Sequence, residues 1–104
     1  MERKLDEMHA VFERAAEWFG VLSTPQRLRI ISALCQGEKN VGQLLEKMSI
    51  SQPNISQHLS LMYRAGLVVK RRQGAQVFYS IANDSVVAVC RAVCTQVAIE
   101  LPVN

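Results

Sequence analysis

Apolar residues return along the first part of this chain every three or four positions. Leu5, Met8, Phe12, Ala15, Phe19 and Leu22 form one stripe, widened by Val11, Ala16 and Trp18, and predict a helix over about 4–21. Thr24 offers a side-chain cap and Pro25 suits a first helical position. A second helix is therefore expected to about Gln36, with Leu28, Ile31 and Leu34 inward and Gly37 as its stop. Asn40 followed by Gln43 reads as a reciprocal cap for a short third helix, about 41–48. Ser49 and Ile50 make a turn, and Ser51 caps a fourth helix that ends at Gly66. The pattern then becomes extended. Leu67 to Arg72 and Gln76 to Ile81, rich in Val, Phe and Tyr, predict two strands joined at Gln73-Gly74. Asn83 and Asp84 can cap a last helix over about 85–100, striped by Val86, Val89, Val93 and Val97. Its β-branched content is high, so packing must hold it. The expected fold is mainly α with a β-hairpin wing, in the order α-α-α-α-β-β-α.

The fourth helix has two unlike faces. Ile55, Leu59 and Met62 share one. The other carries Gln52, Asn54, Ser56 and Gln57, short uncharged side chains that donate and accept hydrogen bonds. That chemistry suits a helix in a DNA major groove, where base edges present mixed donors and acceptors. The pattern reads as a helix-turn-helix over about 41–65, followed by a basic wing over about 67–81 that holds Arg71 and Arg72.

Charge sharpens this picture. The net charge of +3 is unevenly spread. Between positions 26 and 80, Arg27, Arg29, Lys39, Lys47, Arg64, Lys70, Arg71 and Arg72 stand against only Glu38 and Glu46. The helix-turn-helix segment thus carries the positive charge that phosphate contacts require. A chain of 104 residues, 49% apolar, is expected to form one domain with a small core, 1–104. The first and last helices hold more apolar surface than a thin winged domain can cover. They predict a two-fold homodimer through those two helices, which would set two recognition helices one DNA turn apart for a palindrome. No run of about 18 apolar residues exists, and the first residues are charged, so a cytoplasmic protein is expected. Catalysis is not expected: no Ser/His/Asp ordering, Gly-rich phosphate loop or apolar carboxylate pair is found. A winged helix that binds only protein is the reading from another class. The polar face and basic wing speak against it.

The chain resembles the ArsR/SmtB family of bacterial winged-helix repressors. The resemblance rests on Leu22-Ser23-Thr24-Pro25-Gln26-Arg27-Leu28, on Gly37-Glu38 with Val41-Gly42-Gln43-Leu44, and on Ser51-Gln52-Pro53-Asn54-Ile55-Ser56-Gln57-His58-Leu59. Ala65-Gly66-Leu67-Val68 and Phe78-Tyr79-Ser80-Ile81 complete it. It implies a homodimeric repressor on double-stranded operator DNA, released by a small inducer. The implied base readers are Ser51, Gln52, Asn54, Ser56 and Gln57, and His58 either touches phosphate or packs within the motif. Arg71, Arg72 and Gln76 would serve the wing, with Lys39 and Arg64 as backbone contacts.

The inducer is a separate question. The cysteine cluster of the family's arsenite and cadmium sensors is missing, since Asn40 and Gly42 stand in its place. The zinc and nickel set on the last helix is missing too, its positions being Asn83, Ser85, Gln96 and Ile99. What remains is Cys35, Cys90 and Cys94. Buried cysteines in reducing compartments are often plain small hydrophobes. Yet Cys90 and Cys94 share a helix face. The family's persulfide sensors pair a cysteine on the second helix with one on the last, at positions that are Ser32 and about Ala98 here. Cys35 lies one turn later and Cys94 one turn earlier, so antiparallel helices would bring the two together. Two readings stay open: a redox or reactive-sulfur dithiol switch, which is favoured, and arsenite or another soft metal bound by Cys35, Cys90 and Cys94. No cofactor is required in the first.

Overall fold

The computed structural model describes residues 2–102. Its elements are α1 (Glu2–Val21), α2 (Pro25–Leu34), β1 (Lys39–Asn40), α3 (Val41–Lys47), α4 (Gln52–Arg64), β2 (Val68–Gln73), β3 (Gln76–Ile81) and α5 (Asp84–Glu100). The caps form as their residue types dictate. Thr24 Oγ1 accepts from Arg27 N at 3.2 Å, and Asn83 Oδ1 accepts from Ser85 N and Val86 N at 3.0 and 3.3 Å. Asn40 and Gln43 make the reciprocal box, with bonds of 2.9 and 2.8 Å.

Three expectations need correction. Lys39 and Asn40 form a short strand that pairs with Tyr79 and Phe78, so the order is α-α-β-α-α-β-β-α and the sheet runs β1-β3-β2. Two residues are too few to show a period of two, so the pattern could not reveal them. The hairpin turn sits on Gly74-Ala75, because Gln73 pairs with Gln76 and Gly74 takes the left-handed φ of 61°. The second helix stops at Leu34, with Cys35 as its C-cap, short of the expected Gln36. The last helix spans the expected stretch, with Val86 buried and Val93 and Val97 58% and 43% exposed, as its stripe's need for outside packing implies.

The core gathers Ile30 and Ile31 of α2, Leu44 of α3, the full inner stripe of α4 (Ile55, Leu59 and Met62), then Leu67, Val68 and Val86. Helix α1 adds Val21, and Leu22 follows it in the core. The stripe Leu5, Met8, Phe12 and Phe19 stays 47–63% exposed. The subunit measures only 21 Å across its thin dimension and cannot fold over these faces. Each large side chain left out forgoes about 1.5–3 kcal/mol of burial. Helices α1 and α5 thus leave a large apolar surface that this chain does not cover by itself.

Candidate nucleic-acid interface and thiol cleft

Helix α4 starts at Ser51, whose hydroxyl accepts from Asn54 N at 3.4 Å. Beyond the cap, Gln52, Asn54, Ser56 and Gln57 are exposed, and their side chains make no hydrogen bond among the described residues. They keep their full donor and acceptor capacity for an outside partner. Ser51 is exposed as well, but its hydroxyl already serves the helix. His58 turns inward: its Nδ1 accepts from Arg27 Nε at 3.1 Å. Burial, and then the Arg27 charge, hold the His58 pKa below its ordinary value, so the ring stands neutral and accepts. It is packed within the motif, not presented to phosphate.

The wing residues divide by face. Arg71 lies over the Phe78 ring at 4.9 Å, donates from Nη1 to Gln73 Oε1 at 2.9 Å and grips Glu38 with Nε and Nη2. Its hydrogen bonds hold the Glu38 carboxyl below the usual range and raise its own pKa. Arg71 is therefore engaged within the subunit, contrary to its expected role as a free wing cation. Lys70 and Arg72 occupy the opposite face of β2. Lys70 sits 4.3 Å over the Tyr63 ring of α4, and Arg72 is exposed with no partner among the described residues. Gln76 is not free either: its Oε1 accepts from Asn40 Nδ2 at 2.9 Å, tying the wing to the cap of α3. Lys39 and Arg64 donate to Gly37 O and Ser60 O, each at 3.4 Å. Sequence reasoning missed Lys70 and Tyr63. The signal was there, since a residue two from Arg72 on a strand shares its face.

A second site lies between α2 and α5. Leu28, Ile31, Ser32 and Cys35 line one wall of a cleft of about 230 Å³, and Val87, Cys90, Arg91 and Cys94 line the other. Both sets follow one helical face at steps of three and four. All three thiols are free, Cys35 and Cys94 exposed and Cys90 half-buried. Burial pushes the Cys90 thiol up, and Cys94 and Cys35 as neighbouring charges push it further. A small apolar hollow of about 130 Å³ shares Leu28, Cys90 and Cys94 with the cleft and is lined also by Phe19 of α1. No group of three His, Cys, Asp or Glu able to hold a metal ion occurs among the described residues. The expected three-sulfur metal set is thus not assembled, although its members line one cleft.

Comparison with known proteins bears on both sites. The family model described as bacterial regulatory protein, arsR family, matches residues 24–70, from the cap of α2 into the wing. The biofilm growth-associated repressor of Agrobacterium fabrum is 40% identical over 91 residues, covering 81% of this chain and 78% of that protein. Among solved structures, a homodimeric winged helix-turn-helix DNA-binding domain from Mycobacterium bovis superposes with a TM-score of 0.82 at 27% identity, over 93% of this chain and 90% of that one. The transcriptional repressor BigR from Xylella fastidiosa gives 0.76 at 31% identity, over 86% and 92%.

Proposed function

This chain belongs to the arsR family of bacterial regulatory proteins, which are DNA-binding transcriptional regulators, and we propose that it is a homodimeric repressor released from a palindromic operator by reaction of its thiols. One observation carries the inducer reading: Cys35, the C-cap of α2, lines one small cleft together with Cys90 and Cys94 of α5. Gln52, Asn54, Ser56 and Gln57 read base edges in this proposal. Arg72 and Lys70 meet the backbone from the wing.

The chemistry needs an oxidant with a labile sulfur, such as inorganic polysulfide. The Cys35 thiolate attacks a terminal sulfur; the S–S bond of the polysulfide breaks, and a polysulfide shorter by one atom leaves with the electron pair. Attack by the Cys94 thiolate on the Cys35 sulfur of that persulfide forms the Cys35–Cys94 disulfide and releases hydrosulfide. A direct Cys90–Cys94 disulfide is disfavoured, since neighbours on one helix face stand about 5–6 Å apart at Cβ and a disulfide needs about 4 Å. Cys90 stays protonated and outside the bridge.

Fluorescence anisotropy on the duplex that the reduced protein selects from a random library tests this. Polysulfide should weaken binding by roughly 5- to 150-fold, the range of ordinary allosteric coupling. Cys35→Ser and Cys94→Ser should each abolish the response, and Cys90→Ser should keep it. Release that survives in Cys35→Ser would overturn the dithiol switch. Release by arsenite alone, requiring all three cysteines, would replace it with a metalloid sensor.

A further inference from the structure

A helix that reads DNA must be aimed as well as exposed. In a dimer, α4 is aimed by whatever fixes it to the helices that pair across the two-fold axis. Two arginines outside the reading face make that connection. Arg14 of α1 donates from Nη2 to the carbonyl oxygen of Ala65, the C-cap of α4, at 2.5 Å. That carbonyl is at the negative end of the helix dipole, where a cation is favoured. The guanidinium is held from its own side as well: Nη1 meets Glu17 at 3.1 Å, and Cζ stands 5.9 Å from the Trp18 ring centroid. The next residue on α4's side is Gly66, with φ +81°; a Cβ there would come within 2.7 Å of Arg14 Nη2. Gly66 therefore provides the left-handed turn and the room for the guanidinium together.

Arg27, near the start of α2, makes the second connection. Its Nη1 donates to the carbonyl oxygen of Val21, the last residue of α1, at 3.1 Å, and its Nε donates to His58 Nδ1 at 3.1 Å. One planar group thus joins the end of α1 to the middle of α4. Positions 58 and 65 lie roughly 10 Å apart along a helix rising about 1.5 Å per residue. The buried stripe of Ile55, Leu59 and Met62 seats α4 on the core, and a single polar attachment would add a directional restraint at only one point. Two attachments, separated along its axis, add restraint against rotation over that packed face.

We propose that Arg14 and Arg27 are positioning residues that clasp the recognition helix to α1 at two points and so set its aim relative to the dimer axis. Neither touches DNA in this role. Their contribution is to the sequence-specific complex, which requires both recognition helices in register, and not to non-specific binding, which tolerates misdirected helices.

Two measurements on the full-length dimer test the clasp. The first compares affinity for the duplex selected by the wild-type chain with affinity for random-sequence duplex. Arg14→Ala and Arg27→Ala should each lose about tenfold on the selected duplex, the effect of one hydrogen bond from a charged group, and stay within about twofold on random DNA. Arg14→Lys should recover most of the loss, since an ammonium can meet one carbonyl. Arg27→Lys should not, since one nitrogen cannot replace the fork that spans Val21 and His58. Equal losses on both duplexes would overturn the proposal and make the arginines phosphate contacts. Unchanged affinity would overturn it outright, as would losses that track dimer dissociation in sedimentation. The second measurement needs no operator. Nitroxide labels at Ser60→Cys, in a chain with the three native cysteines changed to Ser, report the distance between the two α4 helices. Either alanine variant should broaden that distribution while circular dichroism stays native, and an unbroadened distribution would overturn the clasp.

Discussion

Helices α4 and α5 are both striped, and the stripes meet different fates. Every inward residue of α4 finds its partners inside the subunit: Ile55, Leu59 and Met62 are fully buried. Helix α5 buries Val86 and leaves Val93, Val97 and Ile99 in the open. The first stripe is covered within one chain, and the second is left for the proposed dimer to cover. Function divides the same way. The polar face of α4 is available as soon as one chain folds, whereas in the proposed switch the thiols of α5 act through what α2 and a second copy do around them.

Substitutions can break this comparison. Leu59→Ala should cost the most, about 2–5 kcal/mol in urea unfolding, because it leaves a cavity in a subunit core that has no second subunit to refill it. Phe12→Glu, on a side chain 63% exposed in one subunit, should leave the fold intact and shift sedimentation toward monomer. A stable dimer of Phe12→Glu would show that α1 pairs elsewhere. Gln57→Ala should leave fold and dimer alone and cost about 1–3 kcal/mol of discrimination at one base pair of each half-site, read by competition with substituted duplexes. Loss spread evenly over all sequences would place Gln57 on the backbone instead.

The same division explains what the sequence reveals. Helix α4, its caps and the β2–β3 hairpin follow from local pattern, because Ser51, Asn54 and the alternation after Gly66 act within a few residues of one another. The three-stranded sheet does not follow, because β1 is two residues that exist only through their pairing with Phe78 and Tyr79. The wing shows the limit most clearly. Arg71 and Arg72 are equal as letters, yet Glu38, a neighbour only across the fold, engages one and leaves the other. Glu38→Gln should therefore loosen the hold on Arg71 and strengthen DNA binding slightly, more at low salt than at high salt, read by anisotropy across a salt series. The thiol cleft was legible as a possibility of register: Cys35 and the pair Cys90 and Cys94 occupy matching faces of α2 and α5. That the faces meet is a property of the packing.

The smallest expected effect concerns the joint between α2 and α4. His58 is half-buried and accepts from Arg27 through Nδ1, so its folded pKa lies below the ordinary 6.5. In the unfolded chain the ring binds its proton near the ordinary value. Between those two pH values the unfolded state holds more protons, so stability rises with pH across the window. The stability due to the neutral ring is complete above about pH 6.5 and is lost as pH falls through the depressed folded value. Protonation places a proton on the atom that accepts from Arg27 and a cation beside another cation. Between about pH 7 and 5 the melting temperature should fall more in the wild type than in His58→Gln, whose amide oxygen can accept from Arg27 and does not titrate. His9 and the carboxylates are common to both proteins and cancel in the difference. Parallel melting curves across that window would show that the imidazole only fills space between the helices; a steeper wild-type curve would show that α4 is held to α2 through a bond that only the neutral ring can accept.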